Sequence, residues 1–143
     1  MSLLAEIDAR IEADASGIDR VGTVLSLAMA MGQSARADVE VFVCPLAERP
    51  GPNQRATGPV LQQVTDTIGV VFAVRARNDK DGAKAASKLE VARSSVRQAL
   101  LGWCPASATR GIELAPSDLV KMEPGQVWWL DRYTTAHHEF SQE

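Results

Sequence analysis

The chain has 143 residues, and its 15 Lys and Arg stand against 18 Asp and Glu, so the formal net charge is −3. This length fits one hydrophobic core, which predicts a single domain over residues 1–143. Proteins built to coat nucleic acid usually carry a strong positive charge, so the small negative charge argues against that class.

The first thirty residues predict two helices. Apolar side chains recur at helical spacings of three and four: Leu3, Leu4, Ile7, Ile11 and Ala15. Ser2 is placed to cap this first helix. A second helix is predicted over Ile18–Met31, with Gly32 at its end. Charged residues come before its apolar part, which is unlike a signal peptide or a membrane span, so we expect a protein that is made and used in the cytoplasm.

Two strands and a long loop come next. Asp38–Leu46 is rich in β-branched residues, which predicts a strand covered on at least one face. Leu61–Arg77 predicts a longer strand, and its polar first half indicates that it projects beyond the core. Residues 48–59 between the two strands are rich in Pro, Gly and Arg. Two strands that flank such a loop predict a hairpin arm, because a loop of this length in a compact domain is usually disordered or functional.

The second half of the chain predicts a helix and a second hairpin. The helix begins at Asn78 or Asp79 and runs to about Gly102, because its apolar residues form one continuous stripe. Two strands, Ile112–Met122 and Gln126–His138, are joined by a Glu-Pro-Gly turn. The resulting order, α-α-β-β-α-β-β, predicts a two-layer α+β fold. We expect an antiparallel sheet of about four strands with helices packed on one face.

The sequence offers little support for an enzyme. It contains no GxSxG nucleophile motif and no glycine-rich phosphate-binding motif. Cys44 lies in an apolar strand pattern that favours a buried, inert thiol. His137 and His138 are neighbours on a strand, so they point to opposite faces and do not readily share a metal. Nothing in the pattern brings Asp66 and Asp131 together as a catalytic pair. We therefore predict no catalytic residues, no metal and no cofactor.

Two groups of residues are candidates for protein contacts. Trp128 and Trp129 point to opposite faces of their strand, so one ring can fill the core while the other reaches a neighbouring subunit, or both can pack inside the domain. With Tyr133 they are the candidates for a subunit interface. In the arm, forked guanidinium donors and polar side chains suit a protein-docking role. These arm candidates are Arg49, Asn53, Gln54 and Arg55.

Several segments together give the chain a family resemblance between about residues 18 and 140. They are Val41–Leu46, Glu48-Arg49-x-Gly51-Pro52-Asn53, Ala56-Thr57-Gly58, Val64–Val74, Ala99–Trp103 and Val127–Trp129. In this ordered pattern the chain resembles the tail terminators of long-tailed phages and prophages. The resemblance implies a small α+β subunit that assembles as a ring, typically a hexamer, on the head-proximal end of the tail tube.

The resemblance also implies what the ring does and meets. It would stop tube polymerisation and join the tail to head or neck proteins, with DNA only passing through its lumen. The arm would contact the tube or neighbouring subunits. Such a protein binds no cofactor and no membrane, assembles in the host cytoplasm and ends in the virion. Two alternatives stay open from the residues: another head–tail connector, neck or head-completion protein, and a small enzyme or ligand-binding domain that uses the uncovered sheet face.

Overall fold

The computed structural model describes residues 2–33, 36–77, 79 and 81–142. These residues form three helices and five strands, in the order α1 (Leu3–Asp14), β1 (Arg20–Thr23), α2 (Leu27–Gln33), β2 (Val39–Pro50), β3 (Leu61–Arg75), α3 (Ala83–Leu100), β4 (Glu113–Glu123) and β5 (Gln126–Phe140). The α+β class is confirmed, whereas the predicted element order and the count of about four strands are wrong. None of the described helices is long and apolar enough to cross a membrane.

The strands form one open sheet in the order β1-β2-β3-β5-β4. β1 runs parallel to β2, and the other neighbours are antiparallel. β3 and β5 pair along their whole length, from Leu61 opposite Phe140 to Arg75 opposite Gln126. This long central pair is the spine of the molecule, because β2 and β4 each join it on one side.

The predicted helix over Ile18–Met31 is wrong in its first half. Arg20–Thr23 instead pairs with the edge of β2, and only Leu27–Gln33 is helical. The Arg20 guanidinium holds this pairing by donating to Glu40 Oε2 at 2.7 Å. A bare strand edge leaves backbone groups unpaired, and satisfying them outweighs a local helical pattern.

Helices lie on both faces of the sheet, which corrects the expectation of one covered face. α1 and α3 pack on one face over the larger core, which contains Val41, Val70, Phe72 and Val74. α2 packs on the other face, over a smaller cluster that contains Phe42, Val71, Trp128 and Leu130. The central strands are therefore apolar on both sides, which explains their continuous apolar sequence.

The ends of the helices follow their capping residues. Ser2 Oγ accepts a hydrogen bond from the Ala5 amide at 3.2 Å, so the predicted cap of α1 is confirmed. The Asp79 carboxylate accepts from the amides of Lys84 and Ala85 at 3.1 and 2.9 Å, and these bonds lower the pKa of Asp79. The alternative start at Asn78 lies outside the described residues. α3 itself begins at Ala83, a few residues after the predicted start.

Candidate assembly surface

The sheet continues beyond the helices as an arm built from three strands. We define the arm as residues 45–67, which include the distal parts of β2 and β3, together with residues 134–140 of β5. The predicted hairpin is therefore confirmed as two paired strands and gains a third strand from the end of the chain. From Thr67 to Leu61 the arm extends about 20 Å at the usual rise per strand residue.

The loop at the arm tip, residues 51–60, is held by backbone hydrogen bonds. Gln54 N–H donates to the Leu61 carbonyl, and Gly51 N–H donates to the Gln63 carbonyl, both at 2.7 Å. Asn53 Oδ1 accepts from the amides of Arg55 and Leu61 at 3.1 and 3.0 Å. Asn53 thus shapes the loop, and its contact with a partner stays a prediction, as does that of the exposed Gln54.

Two guanidinium groups and one phenyl ring of the arm are exposed: Arg55 and Phe140 lie at the tip, and Arg49 lies on β2 between the tip and Glu48. Arg49 and Arg55 are exposed, and neither pairs with a carboxylate of the described residues. The sequence has no Asp or Glu between residues 49 and 63, and the exposed Glu139 of β5 lies opposite Gln62. Phe140, at the end of β5, is 68% exposed. The arm therefore offers exposed guanidinium and phenyl groups for contacts with other molecules.

An open cleft of about 700 Å³ lies at the root of the arm, where the first turn of α1 meets the sheet. We call it the root cleft. Its apolar wall contains Leu3, Leu4 and Ile68, and its charged residues are Glu48, Asp66 and His137. Among the described residues that line it, the only group able to carry positive charge is the histidine. The root cleft is therefore apolar and acidic.

His137 sits between two carboxylates. Its Nδ1 lies 2.6 Å from Asp66 Oδ2, and its Nε2 lies 2.9 Å from Glu139 Oε1. The hydrogen bond to Asp66 is the largest cause that raises the pKa of His137 above its ordinary value, and the charges of both carboxylates and the hydrogen bond to Glu139 add to it. A protonated imidazole can donate to both carboxylates at once.

The same histidine belongs to a group that could in principle hold a metal. One ligand atom each from Glu48, Asp66 and His137 lies within 4.8 Å of the others. Two ligand atoms on a tetrahedral zinc ion stand about 3.3 Å apart, since each lies about 2.0 Å from the metal. The 2.6 Å contact is shorter, so the described arrangement is that of a hydrogen-bonded ion pair. The expectation that the chain holds no metal stays a prediction.

The three aromatic interface candidates take different places. Trp128 is buried in the smaller cluster on the α2 face. Trp129 is partly buried on the opposite face, where the Arg93 guanidinium carbon lies 4.5 Å from the centre of a Trp129 ring. Tyr133 is fully buried, which together with the Asp131 charge raises its pKa, and its hydroxyl has no well-aligned hydrogen-bond partner in the described chain. The opposite orientation of the two tryptophans is confirmed, while an interface role for the three stays a prediction.

Buried carboxylates each have a cation of their own. Arg93 donates to both oxygens of Asp131 at 2.9 to 3.1 Å, and Trp129 Nε1 donates to Asp131 Oδ1 at 2.9 Å. Asp66 pairs with His137 instead. The structure therefore does not bring Asp66 and Asp131 together as a catalytic pair. Cys44 is buried, and burial raises the pKa of its thiol, as the strand pattern predicted.

Sequence reasoning found the arm but missed the root cleft. The cleft needs the register that places Asp66 one strand away from His137, and it also needs the first turn of α1 beside both. These positions are 71 residues apart in the chain. The one signal in the sequence was the polar residues in the first half of β3. They indicated a strand that projects from the core but did not show which other elements lie beside it.

A comparison with family models decides the class of protein. The model described as "Phage tail terminator protein" matches residues 3–142, which is nearly the whole chain. The chain belongs to the phage tail terminator family. The family is one of structural tail proteins, so the chain has a structural role in a phage tail and is a virion component that meets other tail proteins. The resemblance drawn from the sequence is confirmed.

A solved structure supports the fold. The chain is similar to a chain of the structure described as "Virion of native gene transfer agent (GTA) particle", with a TM-score of 0.64, and each chain is covered over 96% of its length. The two sequences are 14% identical, so this likeness shows a shared fold. A comparison with curated proteins finds no match.

Proposed function

We propose that this tail terminator assembles as a ring of six subunits that caps the head-proximal end of the tail tube. The ring stops tube polymerisation and offers the surface to which head or neck proteins join. The observation that carries the proposal is the family match over residues 3–142. We further propose that residues 1–143 act as one domain.

The arm supports this proposal because it adds little to the core of its own chain. The first turn of α1 lies beside its root, and Arg49 and Arg55 are exposed. A tip loop held by several hydrogen bonds loses little conformational entropy when it docks. An ordered, unpartnered, charged projection is suited to contacts between proteins in an assembly.

Tail length in assembling particles tests the proposal. With the chain deleted, we expect overlong tails or heads and tails that fail to join, and wild-type chain supplied in trans should restore normal particles. The double variant Arg49→Glu, Arg55→Glu should fold normally and fail to restore them. Electron microscopy of the particles measures both outcomes.

A matched control reverses two exposed charges near the opposite end of β3, Arg77→Glu with Lys84→Glu. This control makes the same change in net charge and should restore normal tails. Tails of normal length in the absence of the chain would overturn the capping role. Normal particles from the arm variant alone would leave capping intact and remove the arm from it.

A further inference from the structure

The outer strand β4 separates its charged and its exposed apolar side chains onto opposite faces of the sheet. The charged residues pair with β5 positions that point to the α2 face; they are Glu113, Asp118, Lys121 and Glu123. The exposed apolar residues pair with Tyr133, Trp129 and Val127, which point to the face of α1 and α3; they are Leu114, Leu119 and Met122. Two register shifts in β4 produce this division, because strict alternation along the sequence would mix the two groups.

The three apolar residues form what we call the β4 stripe. Leu114, Leu119 and Met122 are 42, 52 and 57% exposed in the chain. Side chains of this size are stabilised by burial, and a group of them on one exposed face marks a surface for contact with another protein. The β4 stripe therefore needs an element that covers it.

A helix fits the space above the β4 stripe. α1 lies over β1 and β2, and α3 lies over β2 and β3. β4 is two strands away from β3, which is about 10 Å at the usual spacing of strands. The axes of two packed helices are about 8–10 Å apart. A helix that packs beside α3 at this distance lies above β4 and covers the stripe.

The side of α3 next to this space carries one unpaired charge of each sign. Arg93 reaches Asp131 and Trp129 on β5, so this side of α3 faces β5 and β4. An open cleft of about 680 Å³ runs along it, lined by Glu90, Arg93 and Arg97 among others. Arg93 is neutralised by Asp131, whereas Glu90 and Arg97 form no ion pair with another described residue.

These two charges give the cleft a direction. Glu90 and Arg97 are seven residues apart on α3, which is about 10 Å along the helix axis. The Nε atom of Arg97 is buried and has no hydrogen-bond partner in the described chain. A buried donor of this kind calls for an acceptor, so a partner suited to the cleft carries a carboxylate at the Arg97 end and a cation at the Glu90 end.

We propose that the β4 stripe and the cleft along α3 together dock an amphipathic helix of another virion protein. The apolar side of that helix packs on the stripe, and its charged residues meet Glu90 and Arg97. The described helices of this chain do not supply it, because α1 and α3 pack in their own core and α2 has only seven residues. The inference rests on the proposed role in a virion and requires neither the arm nor closure of a ring.

Site-specific cross-linking in assembling particles tests the docking. The photoreactive residue p-benzoylphenylalanine replaces Leu119, and mass spectrometry identifies the cross-linked peptide. We expect a peptide of another virion protein that has apolar residues at helical spacing and an acidic and a basic residue about seven positions apart. The matched control places the photoreactive residue at Glu113, on the other face of the same strand, and should not capture this peptide. A cross-link only to another copy of this chain, or none, would overturn the proposal.

Binding of the captured peptide, made by synthesis, tests its chemistry. Circular dichroism should show that the peptide gains helix when it binds. Leu119→Asp and Arg97→Glu should each weaken binding about tenfold or more, and replacing the acidic residue of the peptide by Lys should restore binding to Arg97→Glu. Glu113→Lys is the control and should bind as wild type does. Equal binding by wild type and Leu119→Asp, with both folded by thermal unfolding, would contradict the docking.

The outcomes separate this inference from the proposed function. Tail length in particles that lack the chain measures capping and involves no change to the β4 stripe. If those tails are overlong while Leu119 cross-links only to this chain, capping stands and the helix site is wrong. If the helix docks as expected while tails without the chain have normal length, the docking site stands and capping is wrong.

Discussion

The body of the domain and its arm share the strands β2, β3 and β5 but are stabilised differently. In the body, helices cover both faces of the sheet, and Val70, Val71 and Phe72 are fully buried in succession. In the arm, only the first turn of α1 lies beside the root, and the strands are held mainly by their pairing with one another. Burial of apolar surface is the dominant stabilising term in folding, so stability should reside in the body and recognition in the arm.

The largest expected effect comes from the centre of the body. Phe72→Ala removes a fully buried ring between the sheet and α3, and it should lower the free energy of unfolding by about 3–5 kcal/mol. Leu61→Ala at the partly exposed arm tip should cost less than about 1.5 kcal/mol. Urea unfolding of both variants measures the contrast, and equal losses would contradict the division between body and arm.

The next effect concerns the buried ion pair of the body. Arg93→Ala leaves the Asp131 carboxylate buried without its cation, so the free energy of unfolding should fall by about 3 kcal/mol. Arg132→Ala is the matched change at an exposed pair, because its partner Asp118 is 59% exposed, and it should cost less than about 1 kcal/mol. Urea unfolding measures both changes. If the two substitutions lower the free energy of unfolding equally, burial does not determine how much the Arg93–Asp131 pair contributes to stability.

A smaller effect is expected at the arm root and depends on pH. The folded-state pKa of His137 is raised, so protonated His137 stabilises the fold at pH below its ordinary value of about 6.5. This contribution is lost as pH rises through the raised pKa. The melting temperature of wild type should therefore exceed that of His137→Gln by the largest margin near about pH 5.5, where His137 is protonated, and by the smallest margin near about pH 9, where it is not. A gap that does not change with pH would show that His137 acts only through packing.

The smallest effect is expected from a single oxygen in the core. The Tyr133 hydroxyl is buried with no well-aligned hydrogen-bond partner among the described residues. Removing an unpaired buried polar group is close to neutral, so Tyr133→Phe should change the free energy of unfolding by less than about 0.5 kcal/mol. Urea unfolding measures this change. A large fall in the free energy of unfolding would show that Arg97, which lies near the hydroxyl, makes a stabilising hydrogen bond to it.

Much of the fold could be predicted from local patterns. The helical stripe of α3, the long strand β3 and the turn before β5 all follow from spacing and turn residues that act over a few positions. Arg20–Thr23 could not be predicted, because its strand conformation depends on the edge of β2, which the local helical pattern does not contain. Local propensity is a weak signal when a strand edge nearby offers backbone partners.

The candidate assembly surface divides in the same way. The sequence by itself determined that the chain is a tail terminator with a charged, proline-bearing arm, because the ordered segments and the loop composition are local properties. Only the tertiary structure decided that the end of β5 joins the arm and that Glu48, Asp66 and His137 meet beside α1. That meeting depends on strand register between positions far apart in the chain, and register is set by the pairing of whole strands.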